Sequence, residues 1–465
     1  MDERALRTKS LWLDQLAGPL TRRPTLSGDV DVDVAIVGAG YTGLWTAYSL
    51  LGSDPSLRVL VVEREMVGFG ASGRNGGWCV GELAGGLEGA VAAGGRDAGI
   101  RMTRAIIDTV DEVGRVVDAE GIDCGFAKGG VIRLARTVAQ VQRQRAEVDE
   151  YHHFGFGDEV LRVLDADAAT DCLRAPDVHG GVLYGPAARV QPARLVRGLA
   201  DATERLGATI VEGTAATRIV GGTSGSRARV STDRGTITAD VVVRATEAYT
   251  RDLDGLRRDI VPLYSLMVAT EPLPDDVWDE IGLRDMETFA DDRHMVIYGQ
   301  RTVDGRLAFG GRGAPYRFGS GIDAATEASS KIHDRIIATL RELVPAAGDA
   351  QVTHRWGGVL GVPRDWRPSV GLDRATGLAW AGGYVGEGVA ATNLAGRTLA
   401  DLITGTDSDL VTLPWVGHRS PRREPEPLRW AGINVGLRAA GFIDRYEAKR
   451  QRESRAASVL QRIMR

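Results

Sequence analysis

The segment VDVAIVGAGYTG, residues 32–43, decides the fold of this chain. Its first part, Val32–Val37, is a short apolar run that is typical of a strand buried in a parallel sheet. The glycines that follow open a helix predicted over Gly43–Leu51, and the next apolar run predicts a strand at Arg58–Val62. This strand–helix–strand order over about 30 residues is typical of a unit that binds a mononucleotide.

Each glycine of this segment has a separate task beside a bound dinucleotide. Gly38 allows the tight turn after the strand, Gly40 lets the backbone approach the pyrophosphate, and Gly43 lets the helix pack closely on the strand. The start of the helix directs free N–H groups and the positive end of its dipole at the phosphates. Glu63 ends the second strand, where a carboxylate accepts hydrogen bonds from the ribose hydroxyls. The segment therefore predicts a dinucleotide cofactor.

Two further glycine-rich segments favour FAD over NAD. Residues 68–77 read GFGASGRNGG, and such a loop can wrap the far side of a long cofactor. Residues 382–389 read GGYVGEGV and lead into a helix, whose first N–H groups can hold the anionic edge of a flavin ring. An NAD-binding protein does not need this second site.

The residues that we predict to bind FAD are Gly38, Ala39, Gly40, Tyr41, Thr42, Gly43, Glu63, Arg64, Gly70, Ala71, Ser72, Arg74, Asn75, Gly76, Gly77, Ala216, Ala245, Thr246, Gly358, Tyr384, Gly386, Glu387, Gly388 and Val389.

Composition excludes several other classes of protein. The formal net charge of −5 gives no reason to expect a nucleic-acid partner or a membrane surface. The three cysteines Cys79, Cys124 and Cys172 have the spacing of neither a metal site nor a disulfide framework, so we expect no metal and a reducing, cytoplasmic compartment. No apolar stretch has the length of a signal peptide or a membrane span.

The length of 465 residues predicts at least two domains. We predict an α/β Rossmann-like FAD-binding domain and an α+β substrate domain with a mostly antiparallel sheet. The predicted ranges are 1–30 for an N-terminal arm, 31–92, 185–255 and 352–405 for the discontinuous FAD-binding domain, 93–184 and 256–351 for the substrate domain, and 406–465 for a basic C-terminal tail.

The tail differs in charge from the rest of the chain. Residues 417–465 contain 12 Lys or Arg and 5 Asp or Glu, a balance of +7. An apolar stripe of Trp430, Ile433, Leu437 and Phe442 favours a segment packed on its own acidic body, with a homo-oligomer interface as the next alternative and a contact with anionic lipid or nucleic acid as the weakest.

Five stretches resemble the D-amino-acid-oxidase superfamily of FAD-dependent oxidoreductases. They are VAIVGAGYTGLWTAYSL, GFGASGRNGGW, VVVRATEAYT, HRWGG and AGGYVGEGV. Within the superfamily, the chain is most similar to the group of gamma-glutamylputrescine oxidoreductase, glycine oxidase and sarcosine oxidase. The resemblance implies oxidation of a primary or secondary amine, or an amino acid, to an imine by hydride transfer to flavin N5. Hydrolysis of the imine and reoxidation of the flavin by oxygen or another acceptor would follow.

Two departures from the family pattern bear on the cofactor and its acceptor. Some relatives hold the flavin through a cysteine in the C-terminal third or a histidine in the GASGRNGG loop. This chain has neither, so we expect non-covalent FAD. Sarcosine-oxidase relatives have a lysine near the flavin where this chain has Ala308. Without this lysine, a dehydrogenase or electron-relay subunit with a non-oxygen acceptor is an alternative. A flavin enzyme acting on a hydroxy acid is a further alternative.

Three residues are candidates for the substrate site. Arg312 can clamp a substrate carboxylate with two hydrogen bonds, Tyr298 can supply another, and Trp356 is expected near the flavin ring. The alternatives are a structural ion pair, a packed sheet tyrosine and plain core packing. Where the family typically has Gly or Asn, this chain has Glu247, with Arg244 three residues before it; this pair receives no role from the sequence.

Overall fold

A computed structural model describes residues 2–452 and residue 454 of the chain, so the end of the predicted basic tail lies outside the described residues. The described residues form eighteen strands, β1 to β18 in chain order. These are Val30–Val37, Val59–Val62, Trp78–Val80, Val131–Ala135, Leu161–Leu164, Gly180–Tyr184, Ala187–Arg189, Thr209–Val211, Ala216–Val220, Ala228–Thr232, Thr236–Arg244, Val261–Pro272, Thr288–Asp291, Ile297–Arg301, Arg306–Gly311, Val352–Val362, Ser369–Asp373 and Leu378–Gly382.

The same residues form thirteen α-helices, α1 to α13 in chain order. These are Glu3–Arg7, Leu11–Asp14, Tyr41–Ser53, Gly86–Gly94, Arg96–Ala119, Val138–His153, Ala166–Cys172, Pro192–Arg205, Asp275–Ile281, Ala324–Glu327, Ser330–Leu343, Gly388–Thr404 and Leu428–Arg450. Short 3₁₀ helices lie at Ala71–Gly73, Glu247–Asp252, Phe318–Ser320, Pro345–Ala347 and Asp409–Thr412. None of the helices among the described residues is both long and apolar enough to cross a membrane.

The first sheet is the predicted Rossmann-like sheet. Its order is β17-β18-β11-β1-β2-β8, and the five strands from β18 to β8 run parallel. The strand β1 is central because its apolar run is buried on both faces. Strand β11 is continuous over Thr236–Arg244.

Helices α3 and α12 cover one face of this sheet and pack directly on each other. A Cβ built on Gly396 of α12 would stand 2.6 Å from the backbone of Trp45 in α3, so a glycine is needed at this crossing. Helix α5 joins the same layer, and its apolar residues, including Ile106 and Val113, are buried in the same core. The predicted range 93–184 for the substrate domain therefore includes a helix that packs against α12 in the core of the first sheet. Its apolar stripe specifies a buried face but not the partner.

The second sheet is mixed. Its order is β16-β12-β15-β14-β13-β4-β6-β5; the pair β13–β4 is parallel and the other pairs are antiparallel. Strand β16, Val352–Val362, pairs along its length with β12, so it belongs to this sheet although the prediction began an FAD-binding segment at residue 352. The first sheet resumes at Ser369.

The C-terminal helix α13 is attached to the second sheet by polar contacts. The Asp444 carboxylate accepts hydrogen bonds from the backbone N–H groups of His294 and Met295, and Glu447 pairs with Arg143 at 3.0 Å. These residues lie beside the turn between β13 and β14, so ion pairs and backbone caps hold the helix in place.

The apolar stripe predicted on α13 is not buried as a unit. Ile433 and Leu437 are half-buried, whereas Trp430 and Phe442 are exposed by 43% and 61%. A contact between copies of the chain through this helix remains a prediction.

Candidate active site

A deep cavity lies at the carboxyl ends of β1, β2 and β11, between the N-termini of α3 and α12. This edge of a parallel sheet is where open α/β folds bind ligands. The predicted cofactor residues that line it are Gly38, Gly40, Tyr41, Thr42, Glu63, Arg64, Gly70, Ala71, Ser72, Asn75, Ala216, Ala245, Thr246, Tyr384, Gly386, Gly388 and Val389. The predicted residues Ala39, Gly43, Arg74, Gly76, Gly77, Gly358 and Glu387 do not line it.

The glycines of the first motif have the spatial roles that the sequence indicated. Gly38 has a φ of +110°, and a Cβ there would stand 2.6 Å from the carbonyl oxygen of Ala245. A Cβ on Gly43 would stand 2.0 Å from the carbonyl oxygen of Gly38, so only glycine allows the helix to start this close to the strand. Gly40 caps α3 without a side chain, which leaves the helix start open to the cavity.

Glu63 is held at the end of β2 by two backbone groups. The N–H groups of Ala39 and Glu65 donate to its two carboxylate oxygens, each at 2.9 Å. A carboxylate has about four acceptor sites, so two remain for hydroxyl donors in the cavity. Burial raises the pKa of Glu63, and the two backbone bonds oppose that shift.

The glycine-rich loop is ordered by two of its own side chains. The Arg74 guanidinium donates to Glu327 and to the Tyr249 hydroxyl, each at 3.0 Å, and is itself buried. The Asn75 amide donates to the carbonyl oxygens of Ala71 and Ser72, and its own carbonyl accepts from the N–H of Gly77. Arg74 thus acts behind the cavity wall, whereas Asn75 shapes the wall itself.

The N-terminal arm and Trp356 hold the other side of this loop. Trp12 Nε1 donates to the carbonyl oxygen of Asn75 at 2.8 Å, and Trp356 Nε1 donates to that of Arg74 at 3.0 Å. The two indole rings meet edge to face, with centroids 5.9 Å apart. Trp356 is therefore buried as a support of the loop, and a direct contact with the flavin ring stays a prediction.

The second helix start is joined to the first by side chains. The Tyr384 hydroxyl lies 3.2 Å from the Thr42 hydroxyl, which links the segment before α12 to the first turn of α3. Gly386 has a φ of +117°, and Glu387 caps α12 without a side-chain hydrogen bond. Both helices therefore direct uncapped N-termini at one cavity, as the two glycine motifs predicted.

Two of the three substrate-site candidates meet beside Gly386. The Tyr298 hydroxyl bonds Ser265 Oγ at 2.7 Å, and Arg312 Nη2 donates to the carbonyl oxygen of Val385 at 2.6 Å. Desolvation lowers the pKa of Arg312 and raises that of Tyr298. A Cβ on Gly76 would stand 2.6 Å from the Tyr298 ring, so the second sheet contacts the glycine-rich loop here.

Two carboxylates lie in this region, and sequence reasoning missed one of them, Glu82. Glu387, predicted as a cofactor contact, interacts electrostatically with Arg312, and burial raises its pKa. Glu82 follows the glycine-rich loop and forms no hydrogen bond or ion pair with the described residues; burial raises its pKa to about 7. The electrostatic interaction between Glu82 and Glu387 places both in one environment. The cavity residues Tyr249, Val359 and Leu360 were also missed, since nothing in their local sequence marks them.

Most of the chain matches a known protein family. A family model described as DAO, FAD dependent oxidoreductase, matches residues 33–402. The chain belongs to this family. The resemblance stated from the sequence motifs is therefore confirmed, and the protein is an FAD-dependent oxidoreductase.

Individual relatives of this family are similar over most of the chain. Gamma-glutamylputrescine oxidoreductase of Escherichia coli (strain K12) is 28% identical over 386 residues, which cover 82% of this chain and 85% of that protein. A probable oxidoreductase OrdL of Rhizobium meliloti (strain 1021) is 30% identical, with 83% and 86% covered. The structure of glycine oxidase from Geobacillus kaustophilus has a TM-score of 0.68 at 21% identity and covers 83% of this chain and 99% of its own.

The cavity fits the cofactor of this family. Gly38 and Gly40 leave the space that a Cβ would fill at the first helix start, where a pyrophosphate needs close approach to the backbone. Glu63 retains acceptor capacity for ribose hydroxyls. Because the long cavity ends at the second helix start, beside Gly386 and Gly388, it extends to where a flavin ring is expected. The contact of each residue with FAD remains a prediction.

Proposed function

We propose that this oxidoreductase oxidises a primary or secondary amine, including an amino acid, to an imine with non-covalently bound FAD. The observation that carries this proposal is the half-buried group of Tyr298, Arg312 and Glu387, which meets the flavin cavity where Arg312 contacts Gly386. The names of the relatives, gamma-glutamylputrescine oxidoreductase and glycine oxidase, support a nitrogen-bearing substrate.

The site has the chemistry that an amine substrate requires. Bound FAD would supply the acceptor for the hydride that leaves the carbon next to nitrogen. The amine must first lose its proton, because its lone pair stabilises the developing imine. Burial beside the Tyr298 and Trp78 rings, whose centroids are 6.0 Å apart, disfavours an ammonium and lowers its pKa. The Glu82 carboxyl, whose pKa is raised to about 7 by burial, can accept the released proton or attract the incoming cation.

Arg312 supports a substrate that carries a carboxylate. A guanidinium has five N–H donors, and this one makes a single hydrogen bond to the described residues, at the Val385 carbonyl. The remaining donors are free to hold a carboxylate with two parallel hydrogen bonds. Glu387 faces the same guanidinium, so a substrate carboxylate would compete with it for the positive charge.

The cysteine positions support non-covalent FAD. Cys79 lies nearest the glycine-rich loop but is buried in the first core, and burial raises the pKa of its thiol. Cys124 is buried there too, with a pKa raised to about 12, mainly by desolvation. Thiols of this kind stay protonated and are poor nucleophiles at neutral pH.

The electron acceptor has two candidates, oxygen and a different acceptor. Ala308 is fully buried in β15, at the position of the lysine in sarcosine-oxidase relatives, and the described residues that line the cavity include no lysine. Because a nearby positive charge helps oxygen take electrons, this observation favours a dehydrogenase with a non-oxygen acceptor as the second candidate. The rate at which oxygen reoxidises the reduced protein, compared with a quinone acceptor, separates the two.

The experiment that tests the function begins with the absorption spectrum of the purified protein. We expect a flavin spectrum and release of FAD on acid precipitation; yellow precipitated protein would refute non-covalent binding. The holoenzyme is then mixed without oxygen with amines, polyamine derivatives, N-methyl amino acids and D-amino acids. Bleaching of the flavin by at least one nitrogen compound is expected. Bleaching by a hydroxy acid alone would refute the amine assignment.

A further inference from the structure

A second, polar cavity of about 80 Å³ adjoins the flavin cavity. Glu247 lines both, so the two cavities share one wall. The second cavity is formed by the end of β11, the loop before β17, the end of β18 and the segment 418–420. That last segment follows the residues matched by the family model.

Three guanidinium groups line this cavity without hydrogen-bond partners. The side chains of Arg244, Arg367 and Arg419 form no hydrogen bond or ion pair with the described residues. Desolvation lowers the pKa of Arg244 and of Arg419. Arg244 and Arg367 are half-buried and Arg419 is exposed. The Trp380 ring packs on Arg419, with its centroid 3.4 Å from the guanidinium carbon.

Two carboxyl groups line the cavity together with these cations. Asp259 interacts electrostatically with Arg244 and Arg419 and lies 3.5 Å from Arg422 Nε, but its Oδ1 accepts no hydrogen bond. Glu247 accepts the N–H of Gly383 at 2.9 Å, and burial raises its pKa to about 7. The three guanidinium groups of the lining thus face two lining carboxyl groups, and Arg419 also interacts electrostatically with Asp373.

The remaining polar groups of the cavity are already engaged. The His418 ring lies 2.8 Å from Asp365, and the Ser420 hydroxyl donates to the same carboxylate at 2.7 Å. The Ser369 hydroxyl accepts from the Trp380 indole. The unsatisfied hydrogen-bonding capacity of the cavity is therefore mostly that of guanidinium donors.

The backbone at Glu247 is strained in a way that supports a binding role. Glu247 has a φ of +40°, in the left-handed region, where a residue with a side chain is strained. Glycine would adopt this φ without strain, so the glutamate side chain is present in spite of the strain. Its bond to Gly383 joins the segment after β11 to the segment after β18, and both segments line the cavity.

We propose that this second cavity binds a phosphate group, either as inorganic phosphate or as the phosphate of a larger molecule. A phosphate brings negative charge to the three guanidinium groups, and its several oxygens can accept hydrogen bonds from two or three guanidinium forks at once. The volume holds a few water molecules or one small oxyanion.

Equilibrium dialysis of the FAD-loaded protein against labelled inorganic phosphate, in a chloride buffer, tests the site. Bound FAD occupies the pyrophosphate position in the first cavity, so phosphate cannot bind there instead. We expect saturable binding, weakened about tenfold or more in Arg244→Gln and in Arg419→Gln. Arg104→Gln is the matched control, because Arg104 is an exposed residue of α5 whose loss changes the net charge equally; it should bind as the wild type does.

A gain-of-function variant keeps the test decisive if an arginine variant folds poorly. Asp259→Asn removes the competing carboxylate and is expected to tighten phosphate binding several-fold. A parallel dialysis with AMP distinguishes the sources: tighter binding of AMP than of phosphate identifies the phosphate of a larger molecule. No saturable binding of either up to about 10 mM would overturn the proposal. Binding that Arg244→Gln and Asp259→Asn leave unchanged would also overturn it.

Discussion

The sharpest test of the proposed substrate site is the replacement of Arg312 by glutamine. The guanidinium is desolvated, makes one hydrogen bond to the described residues and faces Glu387. Glutamine removes the positive charge and the two-pronged donor but keeps an amide that can reach the Val385 carbonyl. Arg312→Lys is the matched variant, because it keeps the charge and loses only the planar fork.

The size of the effect follows from the number of hydrogen bonds lost. Each hydrogen bond to a charged group contributes about 1.5–3 kcal/mol, and the loss of a two-pronged contact is partly compensated by water. A net loss of about 2–4 kcal/mol lowers kcat/KM by about 30- to 700-fold on a carboxylated substrate. On the matched amine without the carboxylate, the clamp has nothing to hold. On that amine, Arg312→Gln lowers kcat/KM only by the smaller effect of leaving the Glu387 carboxylate unpaired.

The assay compares kcat/KM for an amino acid and for the amine that lacks its carboxylate, in the wild type and both variants. The ratio of the two losses measures the clamp, because a general disturbance of the site lowers both rates alike. We expect Arg312→Lys to fall between the wild type and Arg312→Gln on the carboxylated substrate. Equal losses on the two substrates would refute the reasoning and return Arg312 to a structural role.

Three other predictions concern the cofactor motif and the buried carboxylates. Gly38→Ala places a Cβ 2.6 Å from the Ala245 carbonyl at a φ of +110° and should cost about 1–3 kcal/mol of unfolding free energy in urea titration. Gly52→Ala, in the open last turn of α3, should instead stabilise by about 0.5–1 kcal/mol. Similar effects of the two substitutions on the free energy of unfolding would contradict the close contact described at Gly38. Glu63→Gln should raise the FAD dissociation constant about tenfold, measured by flavin fluorescence, and unchanged affinity would remove its role. The pKa of Glu82 is raised from 4.5 to about 7, so the native state holds an extra proton between these values. Its stability should fall by at most about 3 kcal/mol as pH rises through this window. Glu82→Gln should remove that part of the slope, and an unchanged slope would show that this carboxyl does not titrate as described.

The two glycine motifs show most clearly what could be predicted from the sequence. The first motif was predictable because its constraints are local: a strand, a turn with positive φ at Gly38 and a helix start lie within a dozen residues. The second motif at Gly386 was predictable for the same reason. That both open on one cavity was an inference from the chemistry of FAD, and the packing of α3 on α12 provides the geometry.

The assignment of segments to the two sheets was less predictable. Helix α5 packs in the core of the first sheet and strand β16 pairs in the second, so each lies outside the domain to which it was assigned. A periodic apolar pattern determines which face of an element is buried, and it contains no information about which of two available sheets covers that face. The apolar side chains of α13 show the same limit, since Phe442 belongs to an apolar pattern and is exposed.

The sequence by itself determined the nucleotide-binding unit, the expectation of FAD and the family, because these depend on glycine positions and strand–helix order within short segments. Only the tertiary structure placed Arg312 beside Glu387, Glu387 near Glu82, and Arg244 near Arg419, because these side chains come from segments separated by tens to hundreds of residues. Their charges interact only once two sheets and the C-terminal segment have packed together. The cofactor site was therefore open to prediction from local patterns. The chemistry around it depended on desolvation and pairing, which exist only in the folded chain.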